Sequence, residues 1–190
     1  NADTQKFNQT AVSALIDRIG PSILLTHSQS GPFGWLIADA RPKLVKGIVA
    51  IEPSGPPFEN SVNATGKARA WGPTDVPLTY DPPASKPQDI NIEQERPESA
   101  ELFGCWMQRP PARQLVNLKN IPVMVMAAEA SYHSVYDHCT AKFLSQAGVP
   151  TEFIRLEKEG IRGNGHMVMI EKNNLDIANL IDRWMIKNIR

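Results

Sequence analysis

Residues 22–31 read SILLTHSQSG and join a short apolar run to a polar, serine-rich turn. The run at 22–26 does not alternate between polar and apolar residues, which is typical of a strand buried on both faces of a parallel sheet. Residues 33–41 follow as a predicted helix. We therefore expect a strand, a sharp turn and a helix in direct succession, with Ser28 at the turn.

The same alternation of elements continues on both sides of this stretch. Further strands are predicted at 45–51, 123–127 and 151–156, and further helices at 10–19, 138–147 and 174–189. The last helix would turn Leu175, Ile177, Leu180, Ile181 and Trp184 inward. Strands that alternate with helices predict an α/β fold with a mostly parallel sheet flanked by helices.

Composition excludes several classes of protein. The 190 residues include 20 basic and 20 acidic side chains, so the net charge is +0 and the basic surface of a nucleic-acid binder is not expected. With 42% hydrophobic and 21% charged residues the chain should fold around a core. The apolar runs fall far short of the roughly 20 residues that cross a bilayer, so no membrane span is expected.

The middle of the chain is rich in proline and polar residues. We interpret the stretch from 53 to 111 as a cap or lid inserted into the sheet, with a short helix near 100–108. This interpretation divides the chain into 1–54 with the turn at Ser28, a cap at 55–115, and a C-terminal part of the core at 116–190. The cap aromatics could line a substrate pocket or serve as ordinary packing; they are Trp71, Phe103 and Trp106.

A serine at a strand–turn–helix junction is typical of a nucleophile elbow, G-x-S-x-G. Here both glycine positions are replaced, by Thr26 and Ser30, and the β-branched Thr26 is the larger departure. The sharp turn lifts the Ser28 hydroxyl clear of the sheet. The backbone amide of Gln29 could then donate a hydrogen bond to an oxyanion.

A serine nucleophile needs a base and an acid that orients the base. His166 lies in the glycine-rich segment 160–166 after the last predicted strand and is the candidate base, whereas His27 is expected to point away. Glu52 follows the second strand and Glu129 follows the third, and the pattern alone does not rank them. No metal-ligand spacing and no phosphate-binding glycine loop is seen, so neither a metal nor another cofactor is expected.

Three segments together resemble a known family. The order of elements and the residues at 26–31, 51–53 and 163–167 resemble α/β-hydrolase-fold serine esterases. More narrowly, they are similar to a bacterial and fungal esterase group with a Ser-Glu-His triad. The resemblance covers most of residues 10–190.

This resemblance implies a role for each candidate residue. Ser28 would be the nucleophile, His166 the base and Glu52 the orienting acid, with Glu129 as the fallback acid. It implies hydrolysis of small carboxylic esters through an acyl-Ser28 intermediate. The alternatives are a lactonase or lyase that uses the same triad, and a non-catalytic binding or assembly subunit of the same fold.

Several features favour a secreted glycoprotein. The sequence begins with Asn and contains two N-x-Ser/Thr acceptor triplets, at Asn8 and Asn63. Its two cysteines, Cys105 and Cys139, would form either one disulfide or two buried thiols.

The resemblance also implies strands that precede the elbow, and the sequence has room for only one helix there. A nucleophile strand at the sheet edge would expose unpaired backbone groups and an apolar face. The second oxyanion donor would also come from outside these residues. We therefore expect these residues to be the C-terminal portion of a longer hydrolase. Its N-terminal strands would lie either on a separate chain of the same precursor, which would form a heterodimer with this one, or in a part of the protein that this sequence does not include.

Overall fold

The computed structural model describes residues 1–62 and 64–189. Its helices are α1 (Ala2–Ile19), α2 (Gly31–Ala40), α3 (Asp137–Gln146) and α4 (Asn174–Asn188). Its strands are β1 (Ser22–His27), β2 (Val45–Ile51), β3 (Tyr80–Asp81), β4 (Ile92–Gln94), β5 (Trp106–Gln108), β6 (Gln114–Leu115), β7 (Val123–Ala127) and β8 (Thr151–Arg155). No helix in the described ranges combines the length and apolar character that a bilayer crossing requires.

The central sheet has the strand order β1-β2-β7-β8, and all of its strand pairs are parallel. Side chains of β2 alternate between two cores. Ile48 and Ala50 pack with α2 and α3, whereas Val49 and Ile51 pack with α4. Helices therefore cover both faces, and the predicted α/β fold with a parallel sheet is confirmed. The carboxyl ends of the strands meet at one edge, where sites collect in such sheets.

Strand β1 differs from its prediction as a strand buried on both faces. It lies at the sheet edge, and Ile23 and Leu25 are 41% and 61% exposed. Helix α1 also exposes Leu15 and Ile19, so only part of its apolar stripe faces the core. An apolar surface therefore runs along β1 and α1 on the described chain.

Helix α1 begins eight residues before the predicted start at residue 10. The side chain of Asn1 accepts a hydrogen bond from the Thr4 backbone N–H at 3.0 Å and caps the helix. The polar first half lacks the apolar periodicity on which the prediction depended. In α4, Leu175 is 73% exposed, contrary to prediction, while the other four predicted residues are buried.

The segment between β2 and β7 contains two small antiparallel sheets, β3 with β6 and β4 with β5. The short helix predicted near 100–108 is wrong, because β5 occupies its end. Leu78, Tyr80 and Leu115 of this segment belong to the same buried cluster as α2 and α3. The segment is thus packed onto the sheet by a shared core.

Candidate active site

Ser28 directly follows β1 and begins the short 3₁₀ turn that leads into α2. Its φ of 53° lies in the left-handed region, which is rare for a residue with a side chain. Strain of this kind at the end of a strand is characteristic of functional turns. The turn presents the hydroxyl at the carboxyl edge of the sheet.

The turn at Ser28 is closely packed at Gly31 and Gly34. These are not the glycine positions of the G-x-S-x-G motif, which Thr26 and Ser30 occupy here. A Cβ at Gly31 would lie 2.4 Å from Cβ of Pro53, so the start of α2 touches the loop after β2. A Cβ at Gly34 would lie 3.1 Å from Cγ2 of Thr26. The larger residue at 26 is therefore accommodated by a glycine one helical turn into α2.

Ser30 replaces the second glycine and stabilises the turn. Its hydroxyl donates to the His27 carbonyl oxygen at 2.8 Å and accepts from the His27 backbone N–H at 2.8 Å. Gln29 lies between Ser28 and Ser30, in the turn that starts the helix. Its position puts its backbone amide next to the nucleophile.

Glu52 follows β2, has a φ of 45° and is fully buried. One carboxylate oxygen accepts from the Ala128 backbone N–H at 2.8 Å, and the other accepts from the Ser131 hydroxyl at 2.7 Å. A buried charge is tolerated when donors surround it. The segment after β7 thus holds the Glu52 carboxylate in one orientation.

His166 connects the two strand ends. Its Nδ1 lies 2.5 Å from Oε2 of Glu52, and its Nε2 lies 3.0 Å from Oγ of Ser28. Because an ionised carboxylate only accepts, Nδ1 carries the hydrogen and Nε2 accepts from the Ser28 hydroxyl. The chain of hydrogen bonds can therefore move a proton from the hydroxyl to the imidazole.

The loop that carries His166 is fixed by polar side chains on its far side. The buried Asn164 amide donates to Glu171 at 2.5 Å and to Asn173 at 2.7 Å, and the Gly165 N–H donates to Glu171 at 2.7 Å. These contacts join the loop to the start of α4. They limit the positions that the imidazole can take.

Three aromatic rings surround the imidazole of His166. The His27 ring lies 4.5 Å away between centroids and its Nε2 is 2.9 Å from the His166 carbonyl oxygen, so the prediction that it points away is wrong. The Tyr132 hydroxyl lies 3.5 Å from Nε2 of His166. His133 stacks on His166 at 4.7 Å with a 5° angle between the planes. Residues in the loop after β7 gave no motif by which the sequence could have revealed this packing.

His133 is itself part of a buried polar cluster. Its Nδ1 lies 2.9 Å from Asp137 Oδ1, and its Nε2 lies 3.1 Å from the Tyr136 hydroxyl. Burial, together with the neighbouring charges of His166 and His27, lowers the pKa of His133 to about 3. Burial, with a contribution from Glu52, raises the pKa of Asp137 well above its ordinary value. We therefore take Asp137 as protonated and His133 as neutral.

A cavity of about 180 Å³ adjoins this centre. Its lining includes Tyr132 and His133, and also Ser54, whose backbone N–H donates to the Ser28 carbonyl oxygen at 2.9 Å. The half-buried Arg69 lines the same cavity. Neither Tyr132 nor Arg69 was singled out from the sequence.

Of the two roles left open for the cap aromatics, packing in the core accounts for their contacts. Trp71 is part of the main core, and Phe103 and Trp106 pack against that core. The indole N–H of Trp106 donates to the Glu59 carboxylate. These three aromatic side chains therefore contribute to the hydrophobic core.

Glu129, the alternative acid, is bound elsewhere. Its oxygens accept from Arg162 Nη1 at 2.9 Å and from the Gly163 N–H at 3.0 Å. Among the described residues it is Glu52 that bonds to His166. Geometry therefore separates the two carboxylates that the sequence pattern did not rank.

The structure joins Cys105 and Cys139 in a disulfide that links the segment before β5 to α3. Asn8 lies on α1, where its amide donates to the Thr4 carbonyl oxygen at 2.9 Å. Asn63 lies outside the described residues.

Ligand atoms of Glu52, His133 and His166 lie within 4.8 Å of one another, which resembles a metal-binding group. Each of the three side chains, however, already makes the hydrogen bonds described above. The second such group contains Cys105 and Cys139 with His138, and its two sulfurs are bonded to each other. Neither group therefore offers a free set of ligands.

Comparison with known proteins agrees with this fold. No family model matches the chain. The chain is 48% identical over 185 residues to a probable secreted lipase, phiG, of Fungal sp. (strain ATCC 74256). The match covers 97% of the chain and 51% of that protein, so the chain spans about half the length of this curated relative.

Solved structures give the same fold at low identity. A novel bacterial esterase matches with a TM-score of 0.56 and 23% identity, over 95% of this chain and 42% of that one. A monoacylglycerol lipase from Paleococcus ferrophilus matches with a TM-score of 0.54 and 11% identity, over 97% and 76%. Carboxyl esterase 2 from the fungus Tuber melanosporum matches with a TM-score of 0.51 and 13% identity, over 96% and 60%. The sheet and these solved structures together show that the chain has the α/β-hydrolase fold.

Proposed function

We propose that the protein is a serine hydrolase that cleaves carboxylic esters through an acyl-Ser28 intermediate. The observation that carries this proposal is the continuous hydrogen-bonded path from Ser28 through His166 to the buried Glu52. A hydroxyl, an imidazole and a carboxylate in this order are what acyl transfer by a serine requires.

The proposed reaction has two halves. Oγ of Ser28 attacks the ester carbonyl carbon while Nε2 of His166 takes the hydroxyl proton. As the carbon–oxygen bond to the alcohol breaks, His166 returns that proton to the leaving alkoxide. Water then attacks the acyl-enzyme, gives a proton to His166 and releases the acid, and Ser28 recovers its proton.

Glu52 and Gln29 have supporting roles in this scheme. The Glu52 carboxylate orients the imidazole and stabilises the positive charge that it acquires. The backbone amide of Gln29 donates to the oxyanion of the tetrahedral intermediate. The segment that corresponds to the proposed cap, 55–115, contributes one wall of the cavity beside the nucleophile.

The relatives support ester hydrolysis as the reaction class. The curated relative is named a lipase, and the structural relatives are named esterases and a monoacylglycerol lipase. The name of the curated relative also supports secretion of this protein. Glycosylation at Asn8 and Asn63 stays a prediction, which a mass shift after glycosidase treatment would test.

A fluorophosphonate probe tests the proposal, because it forms a covalent bond only with an activated serine. Wild-type protein should be labelled on the peptide that contains Ser28, and Ser28→Ala should abolish both labelling and ester hydrolysis, with a rate loss on the order of 10⁶. Ser22→Ala, in the same strand region, is the matched control and should behave as wild type. Absence of labelling in the wild type would favour a non-catalytic binding subunit, and labelling without ester turnover would favour a lactonase or lyase.

We further propose that another polypeptide of the same precursor covers the apolar surface of β1 and α1. Ile23 and Leu25 on the edge strand, with Leu15 and Ile19 on the helix, are exposed on the described chain. Leu25→Glu should abolish copurification of that polypeptide, whereas Ile186→Glu, at a residue of α4 that is 75% exposed, should not. A monodisperse, active 21.0 kDa species would contradict this part of the proposal.

A further inference from the structure

Arg69 lies between two cavities that flank the proposed nucleophile. It lines the cavity of about 180 Å³ beside Tyr132 and His133. It also lines a second cavity, of about 190 Å³, together with Gln29 and Ser54. Arg69 is therefore a cationic residue that both cavities share. Asp75 also lines the second cavity, whereas no carboxylate among the described residues lines the first.

Neutral oxygen atoms hold this guanidinium in place. Nε donates to the Pro56 carbonyl oxygen at 2.7 Å, and Nη2 donates to the Glu59 carbonyl oxygen and, at 3.4 Å, to the Asn60 side chain. The backbone at Arg69 is also constrained, with a φ of 46°. Several contacts thus fix the conformation of the side chain.

The neighbouring carboxylate does not pair with this cation. The oxygens of Asp75 accept from the Arg69 backbone N–H at 3.1 Å and from the Gln5 amide at 2.8 Å. Within residues 1–62 and 64–189, no carboxylate oxygen lies within 4.0 Å of the guanidinium. Burial lowers the pKa of Arg69, and the charge of the nearby Asp75 offsets part of this effect.

Arg69 is a half-buried cation without an ion-pair partner, and the carbonyl groups that bind it do not neutralise its charge. Arginine stays charged in proteins and pairs strongly with a carboxylate, which can accept two parallel hydrogen bonds. Nη1 makes no hydrogen bond to any of the described residues, so the guanidinium keeps donors for a further acceptor.

We propose that Arg69 binds a carboxylate of the substrate, so that the preferred substrates are esters that carry a second, negatively charged group. This proposal rests on the ester hydrolysis proposed above and specifies its substrate class. The cavity has the volume of about six liquid water molecules, which suits a short carboxylate-bearing chain. The carboxylate could belong to the acyl part or to the alcohol part of the ester.

Two pairs of esters test the proposal and separate these two sources. Monoethyl glutarate and its carboxamide analogue differ only in the charge of the acyl part. 4-Butanoyloxybutanoate and its carboxamide analogue differ only in the charge of the alcohol part. Wild-type protein should hydrolyse the anionic member of at least one pair with a kcat/KM about 10- to 100-fold higher than the neutral member.

Arg69→Gln should remove this preference, and Arg69→Lys should keep part of it. Lys67→Gln is the matched control, because Lys67 is an exposed cation two residues away, and it should leave the preference unchanged. The ratio of kcat/KM for the anionic ester to that for the neutral ester does not depend on the fraction of folded protein. A destabilised variant can therefore still be compared with the wild type.

Two outcomes would overturn the proposal. One is a wild-type protein that hydrolyses neutral and anionic esters equally in both pairs. The other is an Arg69→Gln variant that slows both members of a pair by the same factor, which would assign Arg69 to holding the loop alone. Failure of the proposed ester hydrolysis itself would look different, since no ester of either pair would be cleaved in a Ser28-dependent way.

Discussion

His133 stacks flat on His166, with ring centroids 4.7 Å apart and planes that differ by 5°. In the proposed mechanism His166 becomes positively charged, so a second charged imidazole at this distance would oppose that step. Asp137 and Tyr136 bind both nitrogens of His133 in the interior. The stack therefore gives His166 a flat, uncharged surface on one side.

His133→Gln should change the dependence of stability on pH. The folded pair of His133 and Asp137 carries one proton, on Asp137. Between about pH 4 and pH 6.5 the unfolded pair also carries one, on His133, because the ordinary pKa values are 3.8 and 6.5. In the wild type the pair therefore does not make the free energy of unfolding depend on pH in this range. In the variant only the folded chain keeps a proton, so the free energy of unfolding should fall as pH rises, by at most about 1.4 kcal/mol per unit.

Thermal melting of both proteins across this pH range measures the difference. The double variant His133→Gln/Asp137→Asn is the control and should lose the added slope. Parallel curves for the wild type and the single variant would show that Asp137 is ionised in the folded protein.

Glu52→Gln should lower kcat by roughly 10⁴ on a neutral ester, because the imidazole would lose its anionic partner. Glu129→Gln is the matched control. It removes a partly exposed ion pair with Arg162, and such pairs contribute about 0–1 kcal/mol to stability. Steady-state kinetics give kcat for both variants. A larger loss of kcat in Glu129→Gln than in Glu52→Gln would assign the orienting role to Glu129.

Gly31→Ala should displace the nucleophile turn, because the added Cβ would lie 2.4 Å from Cβ of Pro53. We expect a loss of stability of about 1–3 kcal/mol and a clear loss of activity. Gly34→Ala should cause a smaller loss of stability and activity. Adding Thr26→Ser to Gly34→Ala should restore part of that loss, because serine lacks the Cγ2 atom that the new methyl group would contact. Chemical denaturation with activity assays checks both effects. Equal tolerance of alanine at 31 and 34 would argue against a tight elbow.

Replacing Cys105 and Cys139 together by serine should destabilise the protein by about 3–4 kcal/mol, because the disulfide closes a loop with a sequence separation of 34. For a domain of this size that corresponds to a melting temperature lower by roughly 10 °C. A reductant should lower the melting temperature of the wild type and leave that of the variant unchanged. Insensitivity of the wild type to a reductant under unfolding conditions would contradict the expectation.

The sequence was most informative where local pattern and packing agree. The four central strands were placed within one residue at each end. The signal was strongest for β7, which is a continuous buried apolar run, and for β2, whose apolar run is interrupted only by the exposed Lys46. The order of Ser28, Glu52 and His166 relative to those strands followed from the same pattern. The chain alone could not rank Glu52 over Glu129, since both follow a strand; their hydrogen bonds separate them.

The remaining errors have a common physical cause, which is that they depend on contacts distant in sequence. The exposure of Leu25 depends on which strand lies beside β1. The orientation of His27 depends on the His166 carbonyl, 139 residues away. The packing of Trp71 depends on how the long segment before β7 folds back. Periodicity within a single element carries no information about any of these.

The contact between Gly31 and Pro53 links two loops that carry different members of the proposed triad. Space at these two positions is shared, so a side chain at one requires a smaller residue at the other. Among homologues the two positions should therefore covary. A combinatorial library should vary the two positions together. If they were varied one at a time, each single substitution would clash and be lost, and the compatible pairs of residues would never be tested.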